Sequence, residues 1–304
     1  MKKEKTLSVL IYIFGPVVRY ILVSELAAAA LDLVWDNFLQ ESALQGAAAA
    51  YSLSLQTIRP YLRLVVSAAA GCLSVRHDAM TEWSAFPAAR QKRRLSFAGG
   101  PEEGSGGFPD NPARNSLWSR LYVAADEKVR MRVLPLLLVS VMSLAAGLNA
   151  AFSCLLRDSS AQGIQGSLPG FAGMLLQTVF YCFFMPFVEE TVFRGIFFPR
   201  MQRWYGTGMA VLASALFFGL YHGSFPQGGY AFLMGIVFAL SYEASGKFTV
   251  PAALHGACNL MILWLQWTDR YSAVCTPVWA AVFLGIAAGG FLTIYMIVKK
   301  TADQ

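Results

Sequence analysis

Apolar runs long enough to cross a lipid bilayer recur from end to end of this 304-residue chain. No other feature restricts the fold as strongly. Inside hydrocarbon a backbone amide has no water to bond, so a spanning segment must satisfy its own hydrogen bonds. Eight spans are expected, at roughly 7–34, 47–75, 133–156, 171–198, 207–222, 227–243, 249–267 and 275–298. The predicted class is therefore all-α, a polytopic membrane helix bundle of about eight transmembrane helices. Only 14% of the residues are charged, against about 25% in an ordinary soluble domain.

Charge sets an expected orientation. With the N-terminus in the cytoplasm and sides alternating, Lys2, Lys3 and Lys5, ten Lys or Arg between Arg76 and Arg132, and Arg194, Arg200, Arg203, Lys247, Lys299 and Lys300 fall inside. Only Arg157 and Arg270 fall outside. Such an imbalance follows the positive-inside rule and explains the net charge of +6 without nucleic acid. The expected localisation is integral membrane and multi-pass, the plasma membrane if the source is prokaryotic, with both termini cytoplasmic. Lys2, Lys3 and Lys5 ahead of an apolar stretch also suit a signal peptide, but the apolar pattern continues to Val34, past the usual length. Five cysteines with irregular spacing give neither a disulfide framework nor a zinc finger.

Composition divides the chain into three parts: an N-terminal hairpin at 1–75, a basic and flexible cytoplasmic loop at 76–132, and a working core at 133–300. The loop carries Arg90, Lys92, Arg93 and Arg94, then a Gly/Pro/Ser-rich stretch at 98–116. Its charges serve topology or meet anionic headgroups.

Polar residues within the core spans are few. The run FFMPFVEETVFRGIFF holds Glu189, Glu190 and Arg194. An ionisable group at mid-membrane costs roughly 2.5–3.5 kcal/mol, so it usually faces the bundle interior and has a task. Glu190 and Arg194 are spaced i, i+4 and can pair on a helix, whereas Glu189 is turned about 100° away. FFGLYHG carries His222, and LHGACNL carries His255 and Asn259, also i, i+4. Taken singly, each has a structural explanation: a juxtamembrane charge cluster, a satisfied histidine, an interhelical hydrogen bond. Together they converge. A hairpin turning at Tyr205-Gly206 sets Glu189 and His222 at one depth. Helix arithmetic puts His255 about 10 Å nearer the cytoplasm, unless the 223–229 loop dips into the bilayer beside a wet pocket.

A carboxylate and a histidine sharing a water form a general-base device. His255 and Asn259 can donate to a developing oxyanion. Hydrolysis of a carbonyl, most naturally a peptide bond, is the matching reaction. Ser224 and Cys258 are the nearest candidate nucleophiles, but neither has a recognisable nucleophile setting. The preferred reading requires no cofactor. Its alternative is a divalent metal such as zinc on Glu189, His222 and His255, although no HExxH helix is present.

The three motifs, Glu189-Glu190-x-x-x-Arg194, Phe218-x-x-x-His222 and His255-x-x-x-Asn259, occur in order on successive segments. In this the sequence resembles the CPBP intramembrane proteases, which include the type II CAAX prenyl endopeptidases and Abi or bacteriocin-immunity-type proteins. The resemblance spans about 170–265. It implies that Glu189 activates water with His222, that His255 and Asn259 stabilise the oxyanion, and that Glu190 and Arg194 support them. It leaves the metal question open. The expected function is an intramembrane endopeptidase, CAAX-protease-like, with its site open to the cytoplasm. Its expected partners are membrane lipid and a peptide or protein substrate, lipid-modified or not. The alternatives are a non-catalytic immunity or scaffold protein of the same family and a proton-coupled transporter.

Overall fold

The computed structural model describes residues 2–41, 48–97, 127–156 and 170–302, and these contain helices and no strand. Helix α1 is Lys2–Glu41, α2 is Ala48–Phe97 and α3 is Glu127–Leu156. Then follow, without an intervening loop but with a sharp break at Gly206, α4 (Gly170–Gln177), a π-helical turn (Thr178–Phe184), α5 (Met185–Glu190), a second π-helical turn (Thr191–Phe197) and α6 (Phe198–Tyr221). Helices α7 (Phe225–Ser245), α8 (Thr249–Trp267), the short α9 (Tyr271–Val274) and α10 (Pro277–Ala302) complete the chain.

Each of the eight expected spans corresponds to a helical segment. Among the described residues five stretches are long and apolar enough to cross a membrane: Thr6–Asn37, Ile58–Ser84, Val133–Leu155, Gly170–Tyr221 and Pro277–Ile297. Their outer faces carry exposed Leu22, Leu26, Leu73, Leu216 and Leu292, a surface that suits lipid rather than water. The chain is an integral, multi-pass membrane protein with a helical-bundle fold.

The Gly170–Tyr221 stretch contains two of the expected spans because it breaks at Gly206, where φ is 81° and ψ 170°. Side chains rarely adopt that backbone, and glycine does so without strain. The expected turn at Tyr205-Gly206 is thus present. The expected 223–229 loop is not. Ser224 caps α7, its side-chain oxygen accepting from the Gln227 amide at 3.4 Å, and the helix starts at Phe225 with Pro226 in its first turn. Pro near a helix start costs nothing because that amide has no intrahelical partner.

Helix α2 also differs from expectation, because it runs on to Phe97 instead of ending near residue 75. The sequence offers no glycine between Cys72 and the Gly99-Gly100 pair, and tertiary ion pairs hold this extension in place. The flexible stretch expected at 98–116 lies outside the described residues.

Those ion pairs tie the N-terminal hairpin to the core. Arg200, 4% exposed, bonds Glu82 Oε1 at 2.9 Å, Asp78 Oδ1 at 2.7 Å and the Tyr12 carbonyl at 2.8 Å. Arg203 also pairs with Glu82, and Arg19 with Asp78. Trp83 stacks on Phe248, their centroids 5.0 Å apart, and Phe248 meets Phe187 edge-on. Removing one partner of a buried ion pair costs about 3–5 kcal/mol because the other is left uncompensated. Arg200→Ala is therefore expected to lower the melting temperature of the purified protein sharply. Proteolysis should then release α1 and α2 from the remaining helices first.

Candidate functional site

The site is organised by a gap in backbone bonding. In the first π-helical turn the Met185 amide donates to the Phe180 carbonyl, five residues back. The next donor in that register would be residue 186, which is proline and has no N–H. The Tyr181 carbonyl therefore lacks its helical partner, and Asn259 Nδ2 on α8 donates to it at 2.8 Å. A buried carbonyl must find a donor somewhere, and here the need docks α8. π-helical turns within α-helices often mark functional sites.

Gly256 allows the close approach. A Cβ there would stand 2.0 Å from the Cys182 carbonyl oxygen. Since backbone cannot move aside as a side chain can, Gly256→Ala should force α8 outward and shift His255 and Asn259 together. The expected cost is about 1–3 kcal/mol in stability from overpacking. Activity should fall further than stability. Parallel melting and cleavage assays would check this.

The paired acids lie on α5. Glu190 and Arg194 are both fully buried, with Nη1 donating to Oε1 at 2.9 Å, so the expected i, i+4 pair forms. Arg194 Nη2 also donates to the Gly235 carbonyl at 3.0 Å, and its guanidinium lies 4.5 Å from the centre of the Phe218 ring. Glu190 Oε1 accepts a second bond, from His255 Nδ1 at 3.2 Å. Glu189 was expected to stand apart from this pair. It meets the same imidazole from the other side, with Oε2 3.8 Å from His255 Nε2. That gap exceeds a hydrogen bond and has room for a bridging water.

His222 closes α6. Its Nδ1 lies 2.7 Å from the Phe218 carbonyl. A carbonyl only accepts, so Nδ1 carries the proton and the lone pair of neutral His222 is on Nε2. His255 also donates through Nδ1, to the Glu190 carboxylate. Both imidazoles meet the Phe218 ring edge-on, at 4.7 Å for His222 and 5.7 Å for His255. Phe238 stacks on His255 at 5.0 Å. Despite the offset expected from helix counting, both histidines contact the one Phe218 ring.

Glu189, His222, His255 and Asn259 line one cavity of about 460 Å³. Glu190 and Arg194 lie behind its wall. Sequence reasoning missed three contributors: the Tyr181 carbonyl, the Phe238 ring, and the α1–α2 hairpin, which brings Glu25 and Leu64 to the lining. Glu25 could have been found, because it is a charge within an apolar run. Ser224 and Cys258 have structural tasks. Ser224 is the α7 cap, and buried Cys258 donates to the Val141 carbonyl at 3.8 Å. Among the described residues no three His, Cys, Asp or Glu side chains are gathered closely enough to hold a metal ion.

Comparison with known proteins bears on the same segment. No curated protein and no solved structure matches the chain. The family model described as Type II CAAX prenyl endopeptidase Rce1-like matches residues 171–261, from the start of α4 to within α8. That span contains all three polar motifs, the two π-helical turns and four of the cavity's polar side chains, Glu189, His222, His255 and Asn259. Residues 171–261 are therefore similar to the Rce1-like type II CAAX prenyl endopeptidases, the family that the three polar motifs also resemble.

Proposed function

We infer that this protein cleaves a peptide bond inside the membrane with a water activated by Glu189 and histidine. The observation that carries the reading is the shared cavity, where a buried carboxylate, two imidazoles and an amide face one space. Glu189 takes a proton from the water. His222 Nε2, with its lone pair available, accepts that proton from Glu189 and delivers it to the leaving amine as the C–N bond breaks, which restores the Glu189 carboxylate and neutral His222. His255 stands between two carboxylates that compensate a positive charge on its ring. With both nitrogens protonated its Nε2–H becomes a donor to the oxyanion, joined by the Asn259 N–H that Tyr181 does not take. Glu190 and Arg194 hold His255 in register. Donors fixed before the reaction stabilise developing charge without reorganising.

Hydrolysis without a metal is the form favoured here, since among the described residues no three His, Cys, Asp or Glu side chains form a metal-binding group. The charge pattern supports a site reached from the cytoplasm, with both termini on that side. The substrate is a peptide tail, lipid-modified or not. To test this, membrane fractions from cells with and without the protein are compared by mass spectrometry for truncated peptides. The truncated products are expected only where the protein is present, and 1,10-phenanthroline should not suppress them. Absence of any such product sinks the reading, and suppression restored by zinc sinks its metal-free form.

A further inference from the structure

We propose that Glu25 on α1 determines substrate specificity by pairing with a basic side chain of the peptide, close to the bond that is cut. This rests on the proteolytic reading above and concerns a residue outside the 171–261 segment.

Glu25 lies within the apolar stretch Thr6–Asn37, where a charge is costly and by default has a functional partner. Its neighbours do not supply a close one. Arg63 Nη2 approaches only to 3.9 Å, while Arg63 Nε is 3.1 Å from Asp32. Arg59 bonds Asp32 at 2.9 Å and Asp36 at 2.7 Å. The two arginines thus have partners about two and three helical turns further along α1, and the Glu25 side chain remains 68% exposed.

It is exposed toward the reaction chamber, since Glu25 lines the same cavity as Glu189. Among the described residues the ionisable lining consists of these two carboxylates, His222, His255 and tyrosines, with no Lys or Arg. A substrate group entering that space meets two carboxylates. An acidic side chain would find no Lys or Arg among the described lining residues, whereas a Lys or Arg would find Glu25. The position of Glu25 is fixed by its own helix. Tyr20, fully buried five residues earlier, has its hydroxyl 3.4 Å from that of Tyr221, which adjoins His222 and lines the cavity.

Distance limits where the basic residue can stand. A sphere of the cavity's volume is about 10 Å across, the reach of about three extended residues. The preferred basic residue therefore lies within two or three positions of the scissile bond.

The test uses the full-length protein in lipid nanodiscs and a library of hydrophobic peptides randomised near their centre, with products sequenced by mass spectrometry. Wild type is expected to cut peptides with Lys or Arg within three residues of the bond about fivefold faster in kcat/KM than those with Glu, the scale of a solvated ion pair. Glu25→Gln should level the rates, and Glu25→Lys should reverse them. Equal rates in wild type, or a preference that survives Glu25→Gln, overturn the proposal. A second measurement separates it from the proteolytic reading. Fluorescent Lys, norleucine and Glu peptides are titrated onto the Glu189→Gln protein and onto the double variant with Glu25→Gln. Tighter binding of the Lys peptide that depends on Glu25 supports the recognition site even if no peptide is cut. Indifference to peptide charge there refutes it.

Discussion

In the Glu189→Gln variant, cleavage is expected to stop while the protein remains folded in the membrane. Glutamine has nearly the same size and shape as glutamate, so the 7%-exposed position keeps its packing. The closest ionic neighbour, His255 Nε2, is 3.8 Å away, too far for a direct bond to be lost. What disappears is the group able to accept a proton from water. A positioned general base contributes typically about 10²–10⁴-fold to the rate, and the loss of cleavage should be at least of that order. Expression, melting temperature and product formation measured side by side give the result. A variant that cuts as wild type does would remove Glu189 from the chemistry. A cellular phenotype that persists in Glu189→Gln without any cleavage would favour the scaffold alternative. Proton flux in vesicles, lost in this variant and accompanied by no hydrolysis, would favour the transporter.

Arg194→Ala is expected to have the largest effect on stability. Arg194 and Glu190 are both at zero exposure and pair at 2.9 Å. Truncating the arginine leaves a carboxylate with its main counter-charge gone and opens a void beneath Phe218. Breaking a buried pair from one side costs about 3–5 kcal/mol, enough to unfold many proteins of ordinary stability. Replacing both partners tells the two contributions apart. Glu190→Gln with Arg194→Met removes the buried charges together and should recover much of the lost melting temperature, because a buried pair gains little over an apolar substitute of similar volume. Activity should not return with stability, since His255 Nδ1 then lacks the carboxylate that orients it. A melting temperature unchanged in Arg194→Ala would show that the pair is not needed for stability.

Much of the core was legible in the chain itself. Helix periodicity fixed the Glu190–Arg194 pair, because i and i+4 are neighbours on any helix, wherever it is placed. The turn at Gly206 was legible because a left-handed backbone position calls for glycine. The eight helical segments followed from hydrophobic length, and the ordered acid, His222 and His255–Asn259 motifs marked the residues that share the cavity. Other features were not accessible to that reasoning. Counting at 1.5 Å per residue assumes straight, regular helices. Both His222 and His255 come into contact with the Phe218 ring, which no count of residues anticipated. Glu189 and Glu190 were expected to diverge, yet both reach one imidazole because its two nitrogens lie on different edges of the ring.

The amino-acid order alone determined the class of fold, the number of helical segments and the polar side chains that cannot be left facing lipid, because each follows from local hydrogen bonding and hydropathy. Tertiary structure decided which of these side chains meet. Asn259 turns to Tyr181 because Pro186 leaves that carbonyl without a donor, and Gly256 lets the two helices close over it. The N-terminal hairpin joins the cavity wall because Arg200 is compensated by Asp78 and Glu82, more than a hundred residues earlier in the chain. Contacts of that separation depend on how whole helices pack, and no local pattern in the sequence encodes them.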